Sequence, residues 1–256
     1  MARFAANLTY LFTELPMERR FEAAREAGFE GVEILFPYDF AVAEIRQGCR
    51  AAGLDFVALN TPPPNWAGGP RGFAAEPGRE ARFRHDFDRA LRFAEALQAR
   101  HIHIMAGKTD DPRAEGVFVD NLRWAAARAP HASLVIEPVN PTDLPGYFLA
   151  DFDHARAVID AVAAPNLGLL FDAYHAHMIA RDIEALWAVH HPFVRHVQIA
   201  GAPGRHEPRG GEIDYPAFFR AVDASGYRGW VSAEYSPRTT TEAGLRWIEG
   251  QPAPGP

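Results

Sequence analysis

Apolar and polar positions alternate along the chain with two different periods. Short apolar runs have the length and composition of buried strands: Arg3–Leu8, Gly31–Leu35, Asp55–Asn60, His101–Met105, Leu134–Glu137, Leu167–Asp172, Val194–Ile199 and Trp230–Glu234. Between them lie stretches at helical spacing: Met17–Ala27, Ala41–Ala52, Glu80–Ala99, Val117–Ala129, Phe152–Ala163, Arg181–His190, Tyr215–Ala224 and Thr241–Glu249. In Glu80–Ala99 the residues Phe83, Phe87, Ala90, Leu91 and Ala94 recur every three or four positions, which predicts one buried face. Gly28, Gly53 and Gly226 follow three of these stretches, where a helix commonly ends in a left-handed residue.

Eight strands alternating with eight helices predict an α/β fold, a (β/α)8 TIM barrel forming a single domain over residues 1–250, with a frayed tail Gln251–Pro256. A doubly wound open sheet is the runner-up, but its glycine fingerprint after the first strand is missing. Two segments exceed an ordinary connector: Thr61–Gly78, rich in Pro and Gly, and Ala200–Asp214. Loops of that length inside a compact domain usually carry function.

Composition narrows the partners. The 256 residues are 48% hydrophobic and 23% charged, which excludes a disordered chain. Lys and Arg number 26 against 33 Asp and Glu, a formal net charge of −7, so no nucleic-acid partner is expected. Cys49 is the single cysteine, which rules out an intramolecular disulfide and a CxxC site; it is expected to be a buried helix residue. No run reaches the ~18 apolar residues of a membrane span and no signal-peptide pattern opens the chain, so no membrane partner and a cytoplasmic location are expected. No unmatched apolar stripe specifies a homo-oligomer, although association through barrel helices is common in this architecture.

In this fold, active sites gather at the C-terminal ends of the strands. Glu137, Asp172 and Glu234 close three of the last four apolar runs and Gln198 is carried on the other, each about one βα unit from the next. Residues two apart along a strand face the same way, so Glu137 shares a face with Val135 and Ser133, and Glu234 with Ser232. One acid at a strand end is usually a helix cap or a surface ion pair; four oxygen-bearing side chains on consecutive strands point to a site. Three carboxylates on one rim repel unless protonated or neutralised, and a divalent cation would neutralise them. An all-oxygen set suits Mg2+ or Mn2+; Gln198 stands where a histidine would have favoured zinc.

Other residues fall into place around this rim. His175, three residues after Asp172, should stand beside the cation and hydrogen-bond a substrate oxygen. Arg205, in the loop after the seventh strand, offers a planar fork for a substrate carboxylate, and Arg71 in the long third loop is a second anion-binding candidate. The glycines around Arg205 also suit a phosphorylated substrate. Asn7 and Glu33 are expected to line the pocket. Lys108 and one of His101 and His103 lie near it, and no catalytic role is assigned to any of these. Asn140 and Asp143 follow Glu137 with no assigned role, and His177 is expected to be structural.

Long blocks carry a family likeness: MERRFEAAREAGFEGVEILFPYD, LNTPPPNWAGGPRGFAAEPGREARFR, IEPVNPTDLPGYFL, DAYHAHMIARD and QIAGAPGRHEPRGGEIDY. Over nearly its whole length the chain resembles the hydroxypyruvate isomerase family of the xylose-isomerase-like TIM barrel superfamily. The resemblance implies that Glu137, Asp172, Gln198 and Glu234 are metal ligands, and that Glu137 and Glu234 are also an acid/base pair. It implies an aldose–ketose isomerisation of a small hydroxy-keto acid, hydroxypyruvate to tartronate semialdehyde, through an enediolate. A 2-oxo-tetronate isomerase or a ketose 3-epimerase, acting on a sugar, would use the same equipment. An endonuclease-type barrel of the same superfamily would instead expect several metals, many histidine ligands and a basic face. A non-catalytic sugar-binding barrel is disfavoured by the two intact carboxylates.

Overall fold

A computed structural model describes residues 3–63 and 71–248. Its strands are β1 (Arg3–Asn7), β2 (Gly31–Glu33), β3 (Asp55–Phe56), β4 (Ala58–Asn60), β5 (His101–His103), β6 (Ser133–Ile136), β7 (Leu167–Asp172), β8 (Val194–Ile199) and β9 (Trp230–Ala233). All pair in parallel, in the order β3-β2-β1-β9-β8-β7-β6-β5-β4. The predicted third strand is split at Val57. β3 pairs with β2 and β4 with β5, while Val57 donates its N–H to Val32 O (2.7 Å) and accepts from His101 N (2.9 Å). β3 and β4 are therefore two halves of one stave, and the nine strands form a nearly closed barrel of eight staves, the expected TIM architecture.

The helices are α1 (Met17–Glu26), α2 (Val42–Ala52), α3 (Glu80–Leu97), α4 (Ala114–Arg128), α5 (Phe152–Val162), α6 (Ala173–Ala180), α7 (Ile183–His190), α8 (Tyr215–Ala224) and α9 (Thr241–Gly244). Seven of the eight expected helices occur with shifted ends; the last shortens to α9 and a 3-10 turn over Leu245–Trp247. The expected start at Arg181 moves to Ile183, because Arg181 takes a left-handed φ of 65° and Asp182 caps α7 through Ala185 N. α6 is an addition. Asp172 ends β7 and its Oδ1 at once accepts from Tyr174 N (2.8 Å) and His175 N (3.3 Å), so one residue closes a strand and caps a helix. Part of the long third loop (64–70) and the tail Gln251–Pro256 lie outside the described residues.

Outside the barrel the helices bury the stripes their periodicity predicts; Phe83, Phe87, Ala90, Leu91 and Ala94 of α3 are all buried, with Phe83 and Phe87 edge-on to Trp124 of α4. Inside, Trp230 fills the floor. It has room because Gly31 stands opposite, where a Cβ would meet its ring at 2.7 Å, and Arg3 stacks on the ring at 4.0 Å. Above this floor the interior turns polar, with the rings of His101 and His196 stacked 5.3 Å apart and Asn7, Glu33 and Gln198 buried over them. Cys49 is buried on α2 as expected, and burial pushes its thiol up to about 12. No helix among the described residues is long and apolar enough to cross a membrane.

Candidate active site

The strand ends converge on a cavity of about 110 Å³ at the mouth of the barrel. Glu137, His175, Gln198, Arg205 and Glu234 line it, with Arg71 exposed at its edge, Asn60, His103, Met105 and Asp143 adding to the wall, and Leu35, Val139 and Leu144 supplying its apolar part. A larger hollow of about 550 Å³ between α2 and α3 lies at the opposite end of the barrel, away from this constellation. Ligand pockets are ordinarily hundreds of Å³, so the mouth cavity suits a small molecule.

The carboxylates differ in their partners. Glu234 is held from three sides: Oε2 accepts from Asn7 Nδ2 (2.9 Å) and Gln198 Nε2 (2.5 Å), and Oε1 from Arg205 Nη2 (2.6 Å). The same Arg205 nitrogen reaches Asp172 Oδ2 at 2.9 Å. Glu137 accepts a hydrogen bond from no described side chain; its oxygens face His103 Nε2 at 3.6 Å and His175 Nε2 at 3.8 Å. Burial, then the charges of Asp172 and Glu234, hold the Glu137 carboxyl well above the usual range. Burial also raises Glu234, to about 8, although Arg205 pulls it down. For Arg205 burial opposes the charge, but Glu234 and Asp172 outweigh it and keep the guanidinium protonated. The arginine expected to await a substrate carboxylate thus already neutralises part of the acidic rim. Its Nε is buried with no hydrogen-bond partner among the described residues.

The loop holding Arg205 is tied down at several points. Gly201 N donates to His206 O (2.7 Å), Glu212 N to Ala202 O (2.7 Å) and Ser236 N to Arg205 O (2.9 Å). A side chain at Gly201 would run into the carbonyl of Glu207. Arg205 itself sits at φ 55°, a left-handed conformation uncommon outside glycine, which the surrounding bonds enforce.

His175, on the first turn of α6, is locked by Asn140. Its Nδ1 lies 3.4 Å from the backbone N of Asn140 and 2.7 Å from the side-chain Nδ2. Asp143 N in turn donates to Asn140 Oδ1 (2.9 Å), which gives Asn140 and Asp143 the roles the sequence left open. Burial pushes His175 down to about 4 and His103 to about 3. His177 points elsewhere, pairing with Glu212 at 2.9 Å.

Glu137, Asp172 and His175 offer ligand atoms within 4.8 Å of one another, the one such cluster among the described residues. Glu33, Glu137, Asp172 and Glu234 are all buried, and among the described residues the half-buried Arg205 is the one guanidinium that pairs with any of them. That excess of negative charge, with Glu137 left without hydrogen-bond donors, fits a bound divalent cation.

Sequence reading placed the four rim residues, His175 and both arginines at this mouth; all but Asp172 line the cavity, and Asp172 caps α6 and pairs with Arg205 beside it. It assigned no role to His103, Asn7 or Glu33 and passed over Asn60. Asn60 closes its apolar run and the strand-end rule would have found it; Asn7, Glu33 and His103 end their strands in the structure, but apolar residues follow each in sequence and hide the strand end. Asn7 and Glu33 lie beneath the cavity and are not among the residues that line it. Lys108 is exposed and outside it.

Residues 21–251 match the family profile described as xylose isomerase-like TIM barrel. A 2-oxo-tetronate isomerase of Cupriavidus necator is 43% identical over 97% of this chain and 98% of its own length, and a hydroxypyruvate isomerase of Escherichia coli is 40% identical over 97% and 99%. A solved structure named as an AP endonuclease, family 2, from Brucella melitensis is 44% identical, covers 97% of this chain and 98% of that one, and superposes with a TM-score of 0.94. Fold, strand-end chemistry and full-length similarity agree that the chain belongs to the xylose isomerase-like TIM barrel family, among relatives named hydroxypyruvate and 2-oxo-tetronate isomerases.

Proposed function

We propose that the protein is a divalent-cation-dependent isomerase of a small hydroxy-keto acid, interconverting hydroxypyruvate and tartronate semialdehyde. The observation that carries this reading is that Glu137 and Glu234 line one small cavity together with Arg205 and His175. The names of the curated relatives support the class of reaction.

One carboxylate takes the proton from the hydroxyl-bearing carbon, and a second carboxyl group delivers one to the neighbouring carbonyl carbon. The hydroxyl proton passes to the former carbonyl oxygen, so atoms balance. Glu137, which accepts no hydrogen bond from a described side chain, has lone pairs free to take a proton; Glu234 is surrounded by donors that hold it in place. Arg205 and, at the mouth, Arg71 attract the substrate carboxylate. His175 Nε2–H donates to oxygen as charge grows there. Glu137, Asp172, Gln198 and Glu234 would hold Mg2+ or Mn2+, which when bound supplies Lewis-acid stabilisation of the enediolate.

A panel of hydroxypyruvate, four-carbon 2-oxo-tetronate and free ketoses, each with Mg2+, Mn2+ or EDTA, tests this directly. Turnover of hydroxypyruvate that EDTA abolishes is expected. Preference for the four-carbon acid or a ketose moves the assignment to a sibling isomerase or epimerase. EDTA-insensitive turnover overturns the cation. The endonuclease name carried by the Brucella structure favours a second reading, cleavage of damaged DNA. Incision of an abasic-site duplex, with binding that weakens steeply with salt, would establish it.

A further inference from the structure

We propose that Glu33, on β2, is a positioning residue that locks the amide of Gln198 with its oxygen toward the cavity and clamps Glu234, so that the cation meets oxygen donors only. The assignment deepens the cation-dependent reading above and rests on it. Glu33 is 1% exposed and lies one layer below the cavity. Its Oε1 accepts from Asn7 Nδ2 and from Gln198 Nε2, both at 2.9 Å, and its Oε2 faces His196 Nε2 at 2.8 Å. The same two amide nitrogens both donate upward to Glu234 Oε2. Two carboxylates are thus bridged by two amides.

The bridge has one workable orientation. An ionised carboxylate only accepts hydrogen bonds. With ionised carboxylates on both sides, as cation binding favours for Glu234, an amide must turn its NH2 to both, which turns its carbonyl oxygen away. For Asn7 this orientation is fixed independently, because Asn7 Oδ1 accepts the backbone N–H of Thr9 at 3.0 Å. For Gln198 no described residue donates to the oxygen, and the side chain lines the cavity. A reversed Gln198 would set oxygen against two carboxylates and offer the cation an NH2 group with no free lone pair. An apolar residue would fill the barrel at position 33 without the penalty of a buried acid; the clamp gives that acid a purpose.

The test is Mn2+ affinity, read by electron paramagnetic resonance of free Mn2+ without substrate, with thermal melting of each variant as the control for folding. Glu33→Leu removes both acceptors and is expected to weaken Mn2+ binding by about 10- to 100-fold, as for other partners that orient metal ligands. Glu33→Gln is expected to stay within about threefold, because its oxygen still takes both N–H groups while its NH2 faces His196. Equal weakening by Leu and Gln means that position 33 acts through charge alone, and overturns the clamp. Should Glu33→Leu not fold, Glu33→Asp withdraws the carboxylate by one methylene while keeping its charge; the clamp expects at least tenfold weaker binding, and parent-like binding overturns it. A parent protein that binds no Mn2+ overturns the cation reading and the clamp together, whereas parent-like binding by a folded Glu33→Leu overturns the clamp alone.

Discussion

The backbone N–H of Asn140 donates to His175 Nδ1 at 3.4 Å. A backbone amide can only donate, so Nδ1 carries the lone pair and the neutral ring keeps its proton on Nε2. That N–H stands 3.8 Å from Glu137 Oε1 and 3.7 Å from Asp172 Oδ2, where a substrate oxygen would sit. His175 is therefore a donor to substrate more than a ligand to a cation. His175→Leu should lower kcat by about 10²- to 10³-fold, the usual effect of losing one donor to a developing oxyanion. Because burial holds His175 near 4, the parent's pH–rate profile from pH 5 to 9 should lack a histidine limb and should not change shape in His175→Gln.

The two glutamates should be separable by kinetics. Glu137→Gln and Glu234→Gln should each reduce kcat by about 10²- to 10⁴-fold, since each removes a proton-transfer group. Following exchange of the substrate's carbon-bound hydrogen with deuterated water distinguishes them. Glu137→Gln should abolish exchange in the direction that starts from the ketose acid, if the unencumbered carboxylate is the base. Near-full turnover in both variants ends the two-carboxylate scheme.

Stability without cation should depend on pH in a defined way. Glu234 rises from 4.5 to about 8 on folding, so the native chain binds that proton more tightly. Its contribution is complete below pH 4.5 and is lost as pH climbs through 8. His103 and His175 drop from 6.5 to about 3 and about 4. Their contributions are complete above pH 6.5 and are lost as pH falls toward those values. Between 4.5 and 6.5 the slopes oppose each other. The two histidines outweigh the one glutamate there, so EDTA-treated protein should melt highest near pH 6.5 and lower on both sides. A melting temperature that keeps rising from pH 6.5 to 8.5 contradicts it.

Cation binding should reverse the alkaline loss, because it takes the ionised carboxylates. At a free Mn2+ concentration 100 times Kd the stabilisation is about 2.7 kcal/mol. For a chain of this size that corresponds to a rise of about 5–10 °C in Tm. The rise should be largest near pH 8 and vanish at pH 4.5, where protons compete; scanning calorimetry with and without Mn2+ checks both.

Much of this site was legible one stave at a time. Glu137, Asp172 and Glu234 each end an apolar run, Gln198 is carried near the end of another, and barrel closure turns all four strand ends to one rim. Gly28, Gly53 and Gly226 end helices at positive φ as expected, while Gln98 and Ala163 make the same turn without glycine and leave no sign in composition. What local pattern could not show was contact across the barrel. Asn7, Glu33, Gln198 and Glu234 meet only when β1, β2, β8 and β9 are brought together, and no spacing along the chain encodes that closure. α6 escaped notice for a local reason: Asp172 has to be read both as the last residue of a strand and as the cap of the next helix.

Arg205 provides the sharpest electrostatic test. Its Nη2 bridges Asp172 and Glu234 at 2.9 and 2.6 Å, and its charge lowers the affinity of Glu234 for a proton. Removing it takes away the strongest influence that lowers Glu234 and leaves the hydrogen bond from Asn7 against burial and the charges of Glu33 and Asp172, so Glu234 must hold its proton to higher pH. If ionised Glu234 is needed for turnover, the acid limb of the pH–rate profile should move upward in Arg205→Ala. Arg205→Lys restores the charge but not the planar fork. It should recover most of the limb's position while leaving KM for the acid substrate raised by about tenfold, the equivalent of one charge-assisted hydrogen bond. An acid limb that stays in place in Arg205→Ala would show that the guanidinium binds substrate without tuning Glu234.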